Sequence, residues 1–229
     1  MEDENEIRKR IDNYNHNSGN QRLRPEEFFC KQILEQICGI PNIIVSDKPD
    51  LKSGNIGFEV TCAYPKDYNI LWNNATLNVD ENVLYVKSTL DKQAASVIEK
   101  YFPINPDDGT RECNNELFDC RLAVPKTVSC IKQTYESKIS KVKGYCQMKE
   151  LYLFIFCQPN QLFSVQDLDG LAQYFQSDNN FKKVIVFDEW VLYCFKNGQY
   201  NCRDCRDRLS TILVNTWRDI SQTLAAEGF

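Results

Sequence analysis

The stretch Leu151–Cys157, LYLFIFC, is apolar at every position. A strand with one wet face alternates in polarity. One without alternation is covered on both faces, as parallel strands in α/β proteins are. The chain must therefore supply amphipathic helices for both sides of a sheet. The run is far too short to span a bilayer, so no membrane partner is expected.

The helices are legible. Arg24-Pro25-Glu26-Glu27 opens one over 25–38. Pro suits the first helical position, and acids favour the positive end of the dipole. Phe29, Cys30, Ile33, Leu34 and Ile37 line one face, and Gly39 ends the helix. A second helix, 128–142, carries Val128, Ile131, Tyr135, Ile139 and Val142 on one stripe and closes at Gly144. Segments 90–101, 165–176 and 210–226 read as further helices. Strands are expected at 43–45, 56–63, 83–86, 184–187 and 191–195. This order predicts an α/β fold with a mixed central sheet flanked by helices.

Residues 22–229 read as a single domain with an insertion at about 65–126. Residues 1–21, charged and rich in Asn, read as a mobile or frayed arm. At 42% hydrophobic residues the chain has material for a core, which excludes a fully disordered reading.

The opening MEDENEIRKR lacks an apolar stretch, so no secretory leader is expected. Several of the eleven Cys sit in apolar segments, as small buried hydrophobes do. A reducing cytoplasm is the expected compartment. The single His, His16, lies in the polar segment YNHNSGN, which argues against His-based triads and His-ligated zinc. The net charge of −5 argues against a generally basic nucleic-acid binder. It leaves room for an acidic enzyme in which a metal supplies positive charge at the site. No phosphate-binding Gly-rich loop is present.

Candidate chemistry concentrates in Ser46–Ala63. Asp50 follows Pro49 in a turn, and Glu59 sits mid-strand, flanked by Phe58 and Val60 on the opposite face. Two such carboxylates can converge on one hard cation, which prefers few carboxylates plus water and phosphate oxygens. Such a cation can activate water for phosphodiester hydrolysis. Glu26 falls near the centre of the apolar face of the first helix, with Glu27 roughly 90° away. Glu26 is therefore the candidate helix-borne acid.

Asp47-Lys48-Pro49-Asp50-Leu51 followed by Ile56-Gly57-Phe58-Glu59-Val60-Thr61 resembles the second and third motifs of the PD-(D/E)XK nuclease superfamily. The resemblance covers roughly 25–62 and 127–157. It implies a restriction-endonuclease-like fold and metal-dependent cleavage of DNA, in restriction, repair or mobile-element defence. Asp50, Glu59 and the Val60 carbonyl would hold Mg²⁺ or Mn²⁺, and Glu26 would support the site. The motif Lys is absent: Thr61 stands in its place and brings no positive charge. Some members borrow a Lys from the following helix. Lys138 and Lys132 each lie roughly 60° from the apolar stripe, on opposite flanks, and Lys141 roughly 120°. The run Lys138-Ile139-Ser140-Lys141 resembles the Lys-bearing helix of such relatives and favours Lys138.

Two other readings compete. One is an inactive binding or assembly module on the same fold, with a protein partner or a second copy of the chain. The other is a small zinc-bearing interaction protein built on Cys202 and Cys205, with Cys113 and Cys120 as further ligands. Tyr14, Tyr64, Tyr68 and Trp72 are candidates for stacking on bases.

Overall fold

The computed structural model describes residues 3–17, 23–67, 70, 74–78, 83–86, 89–107, 109, 111, 120–142, 148–157, 161–176 and 180–229, without side chains at 75–78, 83–85 and 120–124. The helices are α1 (Glu4–Asn17), α2 (Pro25–Gln36), α3 (Lys92–Tyr101), α4 (Cys120–Val142), α5 (Val165–Gln176) and α6 (Leu209–Ala226). The main sheet holds β1 (Ile44–Val45), β2 (Leu51–Ser53), β3 (Ile56–Ala63), β6 (Glu150–Cys157), β7 (Lys183–Phe187), β8 (Val191–Lys196) and β9 (Gln199–Asp204), in the order β1-β2-β3-β6-β7-β8-β9. β3, β6 and β7 run parallel; the outer pairs are antiparallel. The fold is mixed α/β, as expected.

β6 lies between β3 and β7 and is covered on both faces, which explains its unbroken apolar sequence. Tyr152, Phe154 and Phe156 join Phe58, Val60, Ile185, Phe187 and the α2 residues Cys30, Ile33 and Leu34 on one face. Leu151, Leu153, Ile155 and Cys157 join Ile131 and Tyr135 of α4 and Leu168, Leu171 and Phe175 of α5 on the other. Along β3 the pleat sends Phe58 and Val60 towards α2, and therefore Glu59 and Thr61 towards α4.

Several expectations are corrected. The segment read as a mobile arm contains α1, whose Ile7, Ile11 and Tyr14 pack with Ile220 and Leu224 of α6. These three positions share a helical face, and the burial of that face outweighs the polar composition around it. α4 begins at Cys120 rather than 128 and includes Pro125 in its early turns. β9 is a strand that the sequence reading missed, because as an exposed edge it is mostly polar, with only Tyr200 packed on the core. Asn197-Gly198, both at positive φ, makes the hairpin turn from β8. Within 65–126, β4 (Ala75–Asn78) and β5 (Val83–Val86) form a separate two-stranded sheet. α3 gathers a small cluster of Val97, Ile98, Tyr101 and Phe102. Among the described residues no helix is long and apolar enough to cross a membrane.

Candidate active site

Asp50 is placed by the tight turn between β1 and β2. The Ser46 amide donates to the Asp50 carbonyl (2.7 Å), and the Ser46 hydroxyl donates to the Pro49 carbonyl. Gly57 lets this turn lie against β3: a Cβ there would stand 2.4 Å from Pro49 Cγ and 3.1 Å from Met148 Cγ. The turn therefore packs directly on the glycine backbone.

The Asp50 side chain is buried at 8% exposure. The Val60 amide donates to its Oδ2 at 2.7 Å. β2 begins only at Leu51, paired with Phe58, so the Asp50 carboxylate continues the edge contact one step beyond the ladder. In an extended strand the N–H and C=O of one residue face the same edge. The Val60 carbonyl is thus directed to the side of β3 where Asp50 sits.

Glu59 is 5% exposed and points to α4. Lys138 Nζ donates to Glu59 Oε1 at 2.5 Å. The lysine side chain is itself mostly buried, at 15% exposure. Of the two lysines that helical angles left equivalent, the structure brings Lys138, the one favoured by the resemblance, to the acids. Lys132, on the other flank, lies over the ring of Tyr174 at 4.9 Å.

The helix-borne acid is corrected. Glu26 is exposed at the N-terminus of α2, near enough to Cys62 for its charge to help hold that thiol up. Glu27 is the buried one, at 7% exposure. Angular position about the helix axis says which way a residue points. What covers it depends on the neighbouring element at that height. Spacing alone does not separate the two acids: Glu27 aligns with Cys30 and Leu34, and Glu26 aligns equally with Cys30, Ile33 and Ile37, all of them buried.

The three acids repel one another. Burial pushes the Glu27 carboxyl up to about 8, and the charge of Asp50 adds to the rise. Its ion-pair partner among the described residues, Arg24 at 3.4 Å, is half in water and offsets little of this. Burial likewise lifts Asp50 to about 6; the Val60 amide opposes the shift and the charge of Glu59 reinforces it. Such a site gains from an added cation.

The donor set limits which cation. Among the described residues no group of three or more His, Cys, Asp or Glu side chains is placed to hold a metal. Two carboxylates and a carbonyl, completed by water or phosphate oxygens, suit Mg²⁺ or Mn²⁺. They do not suit zinc. The zinc reading fares no better elsewhere: Cys202 is exposed on β9, Cys205 is buried, and both thiols are pushed up rather than down. Cys113 and the side chain of Cys120 lie outside the described residues.

Beside the acids, a groove of about 470 Å³ opens around the C-terminal end of β3. Its walls include Thr61, Lys66, Thr134, Ser137, Lys138 and Lys141. Lys138 belongs to both groove and acid cluster. The groove sits at the carboxyl end of a parallel strand, where open α/β sheets bind ligands. Of the four aromatics singled out in the sequence, Tyr64 lines it. Tyr14 is buried against Phe229; Tyr68 and Trp72 lie outside the described residues.

A scan against protein-family models, a search of curated proteins and a search of solved structures each returned no match.

Proposed function

We propose that the chain is a metal-dependent nuclease of restriction-endonuclease-like fold, hydrolysing phosphodiester bonds in DNA. The observation that carries this reading is the Lys138–Glu59 contact, which returns an ammonium to a motif whose own Lys is replaced by Thr61. Asp50, Glu59 and the Val60 carbonyl would hold Mg²⁺ or Mn²⁺. That ion would activate water and neutralise charge on the leaving oxygen.

The chain's own groups do the remainder. The Val60 amide fixes the Asp50 carboxylate in one orientation. Glu59 holds the Lys138 ammonium at the mouth of the groove, where it can orient a water or a non-bridging phosphate oxygen. Glu27 lies close to Asp50, whose charge together with burial holds the Glu27 carboxyl up at about 8. Glu26, exposed, is left without a supporting role.

The test is nicking of plasmid and single-stranded DNA with Mg²⁺ or Mn²⁺. Cleavage that requires the metal and disappears in both Asp50→Ala and Glu59→Ala supports the reading. Metal-independent cleavage, or cleavage that survives both substitutions, refutes it.

One observation favours the inactive module instead: Lys138 already neutralises Glu59, so the pair needs no cation to be satisfied. Folded wild-type protein that neither binds Mn²⁺ nor cleaves would establish that alternative.

A further inference from the structure

The groove around the end of β3 runs against the charge of the whole chain. The protein carries a net −5. Yet among the described residues the groove lining holds three lysines and no acid. Glu59 of β3 takes Lys138 alone, and the other nearby acids have partners or places outside the lining. Asp67, next to Lys66, is taken by Lys100 Nζ and the Tyr101 hydroxyl, each at 3.0 Å. Glu136, on α4, accepts from the Tyr174 hydroxyl at 2.7 Å on the far flank. Glu26 is not part of the lining, although its charge reaches Cys62, which is. Lys66 and Lys141 are exposed, and neither is ion-paired among the described residues. Two free ammonium groups beside a line of Thr and Ser hydroxyls suit phosphates.

Tyr64 adds a second requirement. It is half-buried in the same lining, with its inner side packed on the core cluster that contains Phe58 and Val60. A ring held in this way offers a stacking surface for a base. In a duplex the bases are already stacked and shielded, so a groove with both features suits an unpaired strand.

We propose that this groove binds a single-stranded polynucleotide, with Lys66 and Lys141 on phosphates flanking the acid pair and Tyr64 under a base. The inference rests on the nuclease reading for its orientation and names the substrate class of that site. Lys138 is the junction: the strand lying on Lys66 and Lys141 passes the residue that touches Glu59.

The experiment is equilibrium binding of short fluorescent oligothymidylate, oligouridylate and a hairpin duplex to the full chain, by anisotropy in EDTA over a salt series. EDTA keeps metal-dependent chemistry off, so binding is read independently of cleavage. The single strands bind more tightly than the duplex, and the deoxy and ribo arms separate DNA from RNA. Lys66→Ala and Lys141→Ala each weaken binding and lower the log–log salt slope by about 0.7. Tyr64→Leu weakens binding by about five- to a hundredfold while leaving the slope unchanged. Lys132→Ala, on the opposite flank of α4, changes neither. Equal affinity for duplex and single strand, wild-type affinity in both lysine variants, or no binding at all overturns the proposal. Binding as predicted without cleavage in Mg²⁺ removes the nuclease reading and leaves the groove assignment standing. Cleavage by the wild type with unaltered binding in the lysine variants does the reverse.

Discussion

Lys138 Nζ rests 2.5 Å from Glu59 Oε1 across 79 residues of sequence, and both side chains are mostly buried. The contact ties α4 to β3 at the point where the motif strand carries Thr61 in place of Lys. Removing one member of a buried pair leaves the other charge without compensation. Lys138→Met is expected to destabilise the fold by about 2–3 kcal/mol, somewhat below the fully buried case because the lysine keeps some water contact. The double variant with Glu59→Gln recovers part of that loss. Chemical denaturation of wild type, both single variants and the double variant checks this. A coupling energy near zero would mean the contact does not hold in solution.

Glu27 makes stability fall as pH rises. Its carboxyl ordinarily titrates near 4.5 and is pushed to about 8 in the folded chain. Between those values the native state holds a proton that the unfolded state has lost, so the slope of unfolding free energy with pH is negative. The penalty is absent at low pH and complete above about 8. Asp50 adds a smaller contribution in the same direction, between 3.8 and about 6. Glu27→Gln is therefore expected to melt near wild type at pH 5 and above wild type at pH 8.5. Parallel melting curves across that range would contradict the burial of this acid.

Divalent cations test the acid pair without any substrate. A ligand that binds only the folded chain adds about 1.4 kcal/mol of stability at ten times its dissociation constant. Mn²⁺ is expected to raise the melting temperature of the wild type. Asp50→Asn keeps an acceptor for the Val60 amide while removing the charge. It should stay folded and lose the Mn²⁺ response. An equal rise in the variant would place the ion elsewhere.

Gly57 has no room for a side chain. A methyl group there meets Pro49 at 2.4 Å, and Pro49 carries Asp50. Gly57→Ala is expected to cost about 1–3 kcal/mol by overpacking and to shift the turn that positions the carboxylate. Gly170, inside α5 with nothing within 4 Å of its added Cβ, is the control. Gly170→Ala should stabilise by about 0.5–1 kcal/mol, as expected within a helix. Thermal melts of the two variants separate these outcomes, and equal effects would contradict the close packing at Gly57.

The sequence was most legible where pattern is local. The unbroken apolar run of β6 announced burial on both faces. The alternation of β3 put Phe58 and Val60 opposite Glu59, and the structure keeps that order. Where the deciding partner is distant, pattern gave less. Helical angles left Lys132 and Lys138 equivalent; only the position of β3 opposite α4 and of Tyr174 on the other flank separates them. The same limitation misassigned Glu26. Its azimuth about α2 is right for the apolar face, but at that height the covering residues shield Glu27 instead. Edge strand β9 was hidden by its polarity, although Asn197-Gly198 marks its turn. Lys66 and Lys141 were not separable from a solvated face, because both are exposed.

The most direct measurement is the single-turnover rate of Mg²⁺-dependent DNA cleavage by wild type, Asp50→Asn, Lys138→Met and their double variant. If Asp50 and Lys138 act as one site, either single change drops the rate to background and the double is no worse. Cleavage that persists in either single variant, or its absence from folded wild-type protein on both plasmid and single-stranded DNA, would contradict the assignment of this site.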